Sequence, residues 1–385
     1  MRTVLKTAGS AVLLLVSGSV FSADFLYGGF ASLYAGKILD GEGSEFFATD
    51  LNEADCPCFI TDYPDASYYT DDGIQFGPDS GYGLQGGIRF NDRFSLTGQI
   101  EGQEGSDFQP ELTWLYLRTQ VNENLIIDVG RKGIPLFFYS DFLNVGYALP
   151  WVRVPGDIYG WPLTSYNGIS ATYSALLGEG SYRIGAWYGS ERDTDSRAYA
   201  DIYWGSENFT IAWDDMLGLS FEYDHDWLVF RAVTMQSDND EKVYWDDGTS
   251  ELIADDEKQF FYGVALLIDY NNIIFQAEYN HFRIHEPNTH HDDDFTSRAR
   301  FFSAGYRLGE FTYLISYSKY TDYEVNFGRQ INSTTSMTIR WDFADKMAFK
   351  VQLDSLDDQT EWPDYTDGRF TGDATVIAMG VDYVF

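Results

Sequence analysis

The feature that most constrains this chain is an alternation of apolar and polar residues, repeated in sixteen segments of roughly ten residues each. Beyond Asp24 no stretch reaches the roughly 18 consecutive apolar residues that a membrane helix needs. The segments are Phe25–Ala35, Tyr82–Phe90, Phe94–Gln103, Leu112–Val121, Leu125–Lys132, Tyr166–Leu176, Ser181–Glu191, Leu217–Asp224, Trp227–Gln236, Phe260–Tyr270, Ile273–Phe282, Arg300–Leu308, Phe311–Tyr320, Thr335–Phe343, Met347–Leu353 and Thr375–Phe385. A period of two puts one set of side chains on each face of a strand. In the last segment Ile377, Met379, Val381, Tyr383 and Phe385 share a face, and Ala378, Gly380 and Asp382 the other. Arg340, Lys350 and Gln352 likewise fall opposite Met337, Ile339, Phe349 and Val351. A basic residue facing lipid near the bilayer midplane costs roughly 2–4 kcal/mol, so this sorting is what a membrane wall demands.

The connections sort as well. Short links rich in Asn, Asp and Gly, such as Gly178-Glu179-Gly180, His225-Asp226, Asn271-Asn272 and Gly309-Glu310, tolerate tight-turn backbone angles. They alternate with long loops, among them Gly36 to Ser80, Gly133 to Ser165 and the acidic Ser237 to Lys258. Short turns on one side and long loops on the other, with an even strand number, predict an all-β fold. It is a transmembrane antiparallel barrel of about sixteen strands over residues 24–385, with both termini at the short-turn end. The 36 Gly, 28 Tyr, 29 Phe and 10 Trp suit such a wall, with aromatic girdles at its two interfaces.

At the N-terminus, Arg2 and Lys6 precede the short apolar run Ala11 to Val20 and the small residues Ser22 and Ala23. This order predicts a signal peptide over residues 1–23, cleaved after Ser22 or Ala23. The formal net charge of -35 would repel phosphates and excludes nucleic-acid partners. Cys56 and Cys58 form a candidate disulfide, a local staple of the first long loop in an oxidising compartment. The runs Asp255-Asp256-Glu257 and His290-His291-Asp292-Asp293-Asp294 carry ligand types for calcium or magnesium but lack EF-hand spacing, and read as solvated charge. No cofactor is expected otherwise. No G-x-S-x-G, H-E-x-x-H or P-loop occurs, and His281, the only histidine on an outward position, has no serine placed beside it; no enzyme is expected.

Two segments resemble known proteins. The ending Val381, Tyr383, Phe385 is similar to the C-terminal signal read by the machinery that assembles outer-membrane barrels. The run from Gly130 to Pro155, with its pattern G-R-x-x-x-P-L-x-x-Y-S-D-F-L-x-V-G-Y-A-x-P-W-x-R-x-P, resembles a stretch of porin-like outer-membrane proteins of gammaproteobacteria. In general diffusion porins the loop after the fifth strand folds into the barrel and narrows the pore. The resemblance therefore implies a constriction carrying Asp141 and Asp157. Alternation sets against them the inward bases Arg89, Arg118, Lys132, Arg183, Arg231, Arg307, Arg340 and Lys350, with Glu101, Asp128, Glu222, Asp269 and Glu278 as acid partners. Opposed charges across a gap orient dipolar solutes and tune ion selectivity. The resemblance further implies a homotrimer in outer-membrane lipid and lipopolysaccharide, passing small hydrophilic solutes by passive diffusion. A channel specific for a sugar or small organic acid, with the aromatics of Phe137 to Trp151 as a sliding surface, is one alternative. A plugged structural or adhesive barrel is the other.

Overall fold

A computed structural model of the chain describes residues 24–44, 57–285, 295–323, 328–362 and 368–385. The expected signal peptide, Cys56 and the run His290 to Asp294 lie outside the described residues. The alternating segments fold as β1 (Asp24–Glu42), β4 (Gly81–Arg89), β5 (Phe94–Gln103), β6 (Glu111–Gln120), β7 (Leu125–Gly133), β8 (Ser165–Leu177), β9 (Gly180–Asp193), β10 (Asn208–His225), β11 (Leu228–Tyr244), β12 (Ser250–Tyr270), β13 (Ile273–His285), β14 (Phe295–Leu308), β15 (Phe311–Tyr323), β16 (Ile331–Ala344), β17 (Met347–Asp358) and β18 (Asp373–Val384). A small hairpin, β2 (Phe59–Asp62) and β3 (Ser67–Tyr69), lies between the first two wall strands.

The sixteen wall strands form one closed antiparallel barrel, β1 pairing with both β4 and β18. Closure leaves no unpaired strand edge in the wall, as a barrel in lipid requires. At the seam the Phe385 amide donates to the Gly29 carbonyl at 3.0 Å, and the Gly29 amide to the Phe385 carbonyl at 3.3 Å. The terminal Phe385 stacks on Tyr383 with ring centroids 5.7 Å apart, both facing outward.

Register carries one side-chain parity around the wall. Asp128 lies opposite Arg118 and Ser170, Arg231 opposite Glu222 and Ala265, and Arg340 opposite Thr312 and Lys350. The other parity presents Leu33, Ile169, Leu217, Leu219, Ile315, Met337 and Met379, all exposed. Apolar side chains exposed on every part of a wall would be an aggregation surface in water. In a bilayer they are the lipid-facing belt. Near the short turns this belt ends in aromatic pairs, Trp227–Tyr270, Phe311–Trp341 and Tyr173–Tyr182. The short turns use the left-handed backbone that their Asn, Asp and Gly tolerate: Gly178, Asp226, Asn271 and Gly309 all have positive φ, and so does Lys346 between β16 and β17.

The strands on one side are longer than the alternation suggested. Ser237 to Lys258 is not a loop but the outer part of the β11–β12 hairpin, paired as far as Tyr244 and Ser250. Beyond the membrane the outward row is no longer apolar, so Asp238, Asp240 and Lys242 interrupt the hydrophobic signal while the ladder continues. Asp255-Asp256-Glu257 therefore lies within β12, with Asp256 at a register shift and positive φ.

Candidate functional site

The connection from β7 to β8 is the place where sequence and architecture meet. Pro135, Pro150 and Pro155 cannot donate to a ladder, so the chain leaves the wall. It breaks into short turns, at Ser140–Phe142 and Gly146–Ala148, and one helical turn at Gly156–Tyr159 that starts directly after Pro155. Its aromatics are buried rather than exposed: Phe137, Tyr139, Trp151 and Tyr159 are all at or below 6% exposure. They pack on inward residues of distant strands, Trp151 on Phe301 at 5.2 Å, Phe137 on Phe261 at 5.7 Å, and Trp161 on Phe282 at 4.5 Å. Only a segment lying inside the barrel can reach them.

Hydrogen bonds fix its course across the lumen. Tyr139 Oη donates to Gln276 and Tyr159 Oη to Glu278, both at 2.8 Å, and the Phe138 amide donates to Glu278 at 3.2 Å. Trp151 Nε1 donates to Ser316 Oγ at 3.0 Å, and the Val152 amide to Gln352 at 2.9 Å. Arg153 is the deepest anchor. Its guanidinium is forked on Asp79, with Nε 2.6 Å from Oδ1 and Nη2 2.5 Å from Oδ2, and also bonds Asp354 of β17. It lies over the Phe59 ring at 5.1 Å. Asp79 belongs to the first long loop, whose hairpin β2–β3 packs inward on Tyr34, Val152 and Val376. Cys58 there is completely buried and disulfide-bonded.

The inward bases fall into three groups. Arg231, Arg340 and Lys350 hold the loop's backbone. Arg231 donates to the Pro135 carbonyl at 2.5 Å, Arg340 to those of Tyr147 and Leu149 at 2.7 and 2.8 Å, and Lys350 to those of Gly146 and Trp151 at 2.6 and 2.7 Å. Arg89, Arg183 and Arg307 lie toward the short-turn end; Arg183 bonds Glu222 and Arg307 grips Asp269 at 2.6 and 2.8 Å. Arg118 and Lys132 share Asp128, at 2.8 and 2.6 Å. They line the wall sector facing the start of the loop.

Asp141 stays exposed on the loop, within electrostatic reach of Arg118. Asp157 is buried in the helical turn and accepts a hydrogen bond from Ser318 Oγ at 2.5 Å, not from a base. Asn144 of the loop donates to Glu101 of β5 at 2.9 Å. The structure thus places Asp141 within electrostatic reach of Arg118, sets Lys132 beside Arg118 on Asp128, and uses Arg231, Arg340 and Lys350 as clamps. Arg153, Asp79 and Asp354 carry as much of the loop's placement, and sequence reasoning missed them. Arg153 stood in the aromatic motif, but its partners are 74 and 201 residues away. The two cavities lying between loop and wall around Arg153 measure about 30 and 70 Å³, room for water only. His281 does take an outward position, packing on Tyr262 at 4.8 Å, but it is not alone there: His285 is exposed on the same row of β13 and His225 takes the outward parity of β10.

No protein-family profile matches the chain, and no curated protein sequence does. Solved structures do. The outer membrane channel DcaP of Acinetobacter baumannii superposes with a TM-score of 0.59 at 12% identity, covering 94% of this chain and 97% of that one. OmpT, an outer membrane protein of Vibrio cholerae, gives 0.57 at 12%, covering 96% and 100%. OmpF of Salmonella typhi, in complex with daunomycin, gives 0.56 at 15%, covering 94% and 97%. At such identities the likeness is one of fold. That fold, with its closed barrel and apolar outer belt, is the architecture of a bacterial outer-membrane protein.

Proposed function

We propose that this chain, which has the fold of the bacterial outer-membrane porins, is a passive channel for small hydrophilic solutes and ions. The observation that carries the reading is the β7–β8 loop. It is bonded to the wall opposite its origin through Gln276, Glu278, Ser316 and Gln352, and so divides the lumen. On one side of it the space is filled by an apolar core around Phe137, Trp151 and Trp161. On the other, the exposed Asp141 of the loop lies within electrostatic reach of Arg118, which shares Asp128 with Lys132 on the wall, and in this reading these residues line the passage. Acid and base across a narrow passage set up a transverse field, which favours polar solutes and excludes apolar ones. Around sixteen strands leave an aqueous lumen unless loops fill it. Here the loop and the first-loop hairpin take much of that space, so the passage is narrower than an open barrel would give.

The same observation supports a narrower specificity as second reading, in which the loop's aromatics select one class of solute. Export through the residue 1–23 signal peptide, assembly through the Phe385 terminus and a homotrimeric state belong to this proposal. Planar-bilayer recording on the purified protein tests it. Discrete conductance steps, with a reversal potential that moves toward cation preference in Arg118→Gln and away from it in Asp141→Asn, are expected. Absence of conductance from a folded barrel would leave the plugged reading instead. In liposome swelling, saturation by one solute alone would select the specific channel.

A further inference from the structure

We infer that the outward rim of β13, β14 and β15, just beyond the apolar belt, binds the phosphate groups of an anionic glycolipid of the lipopolysaccharide type. The inference rests on the reading of the barrel as an outer-membrane protein with its long loops outside. In a chain of net charge -35, this rim is basic. Arg298 and Arg300 of β14 and Lys319 of β15 all take the outward parity, and Arg300 lies directly opposite Lys319. Arg298 lies opposite His281 of β13, and Arg283 follows His281 on the same row. Among the described outward positions of these three strands there is no carboxylate.

Like charges directly opposite on neighbouring strands repel, so an Arg–Lys pair with no acid beside it needs a counter-charge from elsewhere. Three outward cations elsewhere on the wall have one in the protein: Arg131 meets Glu191 at 2.7 Å, Arg192 meets Asp214 at 3.6 Å, and Lys258 meets Asp238. Among the described residues, Arg298, Arg300 and Lys319 have no ion-pair or hydrogen-bond partner. Their height fixes the partner. Directly below them, in register, are Phe302 and Tyr317, exposed on the lipid face, with Tyr279 opposite Arg300. A group that contacts the rings with hydrocarbon and the bases with anionic oxygen is a lipid whose phosphates sit at its headgroup. Guanidinium forks suit phosphate bidentately.

The test is native mass spectrometry of the full mature chain in mild detergent, titrated with bisphosphorylated lipid A or with lipid A stripped of both phosphates, EDTA present. The wild type is expected to retain the phosphorylated lipid preferentially. The Arg298→Gln, Arg300→Gln, Lys319→Gln variant should retain roughly ten-fold less, as loss of charge-assisted contacts implies. Lys37→Gln, an exposed outward cation on β1, should retain as much as the wild type. Equal retention of both lipids, or an unchanged triple variant, overturns the inference. So does a triple variant that loses only oligomer mass, which would make the rim a contact between copies. Single-channel conductance recorded on the same samples reports on the pore separately, so a failed lipid site and a failed channel are told apart.

Discussion

Lys350 Nζ lies 2.8 Å from the Asp382 carboxylate, and neither side chain is exposed to solvent at all. Asp382 also accepts hydrogen bonds from Ser32 Oγ and Tyr34 Oη, both at 2.7 Å. Lys350 spends its remaining protons on the loop carbonyls of Gly146 and Trp151. The pair thus joins the barrel seam to the loop, and every donor and acceptor in it has a partner, which is what allows two charges to be buried together.

Removing one partner leaves the other charge buried and unpaired, a change that typically costs about 3–5 kcal/mol. Asp382→Asn is therefore expected to lower the Tm of the detergent-folded barrel markedly. The Lys350→Met, Asp382→Leu double variant should recover much of that loss, although the loop carbonyls lose their donor. Thermal unfolding of the singles and the double in one detergent checks this. Additive losses would show that the two charges do not depend on each other.

Arg153 sets the loop's far anchorage. Its fork on Asp79 and its bond to Asp354 tie together three segments that are distant in sequence. Arg153→Ala should free the loop from β17, giving larger and noisier single-channel steps. Arg153→Lys, with a point charge in place of the fork, should fall between. A step size and noise level identical to the wild type in Arg153→Ala would mean that the aromatic packing alone holds the loop.

How much of this was readable beforehand follows from range. All sixteen wall strands are local patterns, so alternation alone located them, and the short turns came with them. The register then placed each inward base on the expected side, because parity propagates through every pair from Arg89 to Lys350. What each base does was not local. Whether Arg340 meets a solute or the Tyr147 carbonyl depends on where the loop crosses, and that is set by contacts such as Trp151 on Ser316, 165 residues apart. The inward packing of the first loop was equally hidden. Tyr69, fully buried and bonded to Asp79, lies in a segment with no periodic pattern.

The first-loop hairpin should respond to pH through Asp62. Burial pushes the Asp62 carboxyl up to about 6, and the nearby Asp79 charge pushes in the same direction. A raised folded pKa means that the neutral form fits the hairpin better. The hairpin is then most stable below the unfolded carboxyl range near pH 4, and that advantage is lost as pH rises toward 6. A two-unit shift caps the effect near ~3 kcal/mol, and partial solvent access reduces it. Asp62→Asn should slow hydrogen exchange of residues 59–69 several-fold at pH 7.5 and make little difference at pH 4. An equal effect of the substitution at both values would rule out this titration as the cause.

Gly146 tests whether the loop's position is set by steric fit as well as by charge. It packs directly against β1 and β18 at the seam. A Cβ added there would lie 2.2 Å from Asp382 Oδ1 and 2.5 Å from Ser32 Oγ, closer than packed atoms allow. Neither neighbour can yield freely, because Ser32 donates to Asp382 and Asp382 is held by Lys350 and Tyr34. Gly146→Ala must therefore push the loop away from β18, weakening the Lys350 clamp at the Gly146 carbonyl. Overpacking of this kind costs typically ~1–3 kcal/mol. The expected result is a lower Tm together with a changed conductance, since displacement of the loop alters the gap between Asp141 and Arg118. Gly133→Ala serves as control, because an added Cβ there has no neighbour nearer than 3.6 Å. If Gly146→Ala matches Gly133→Ala in both measurements, the loop has slack at the seam and the clamp is electrostatic alone.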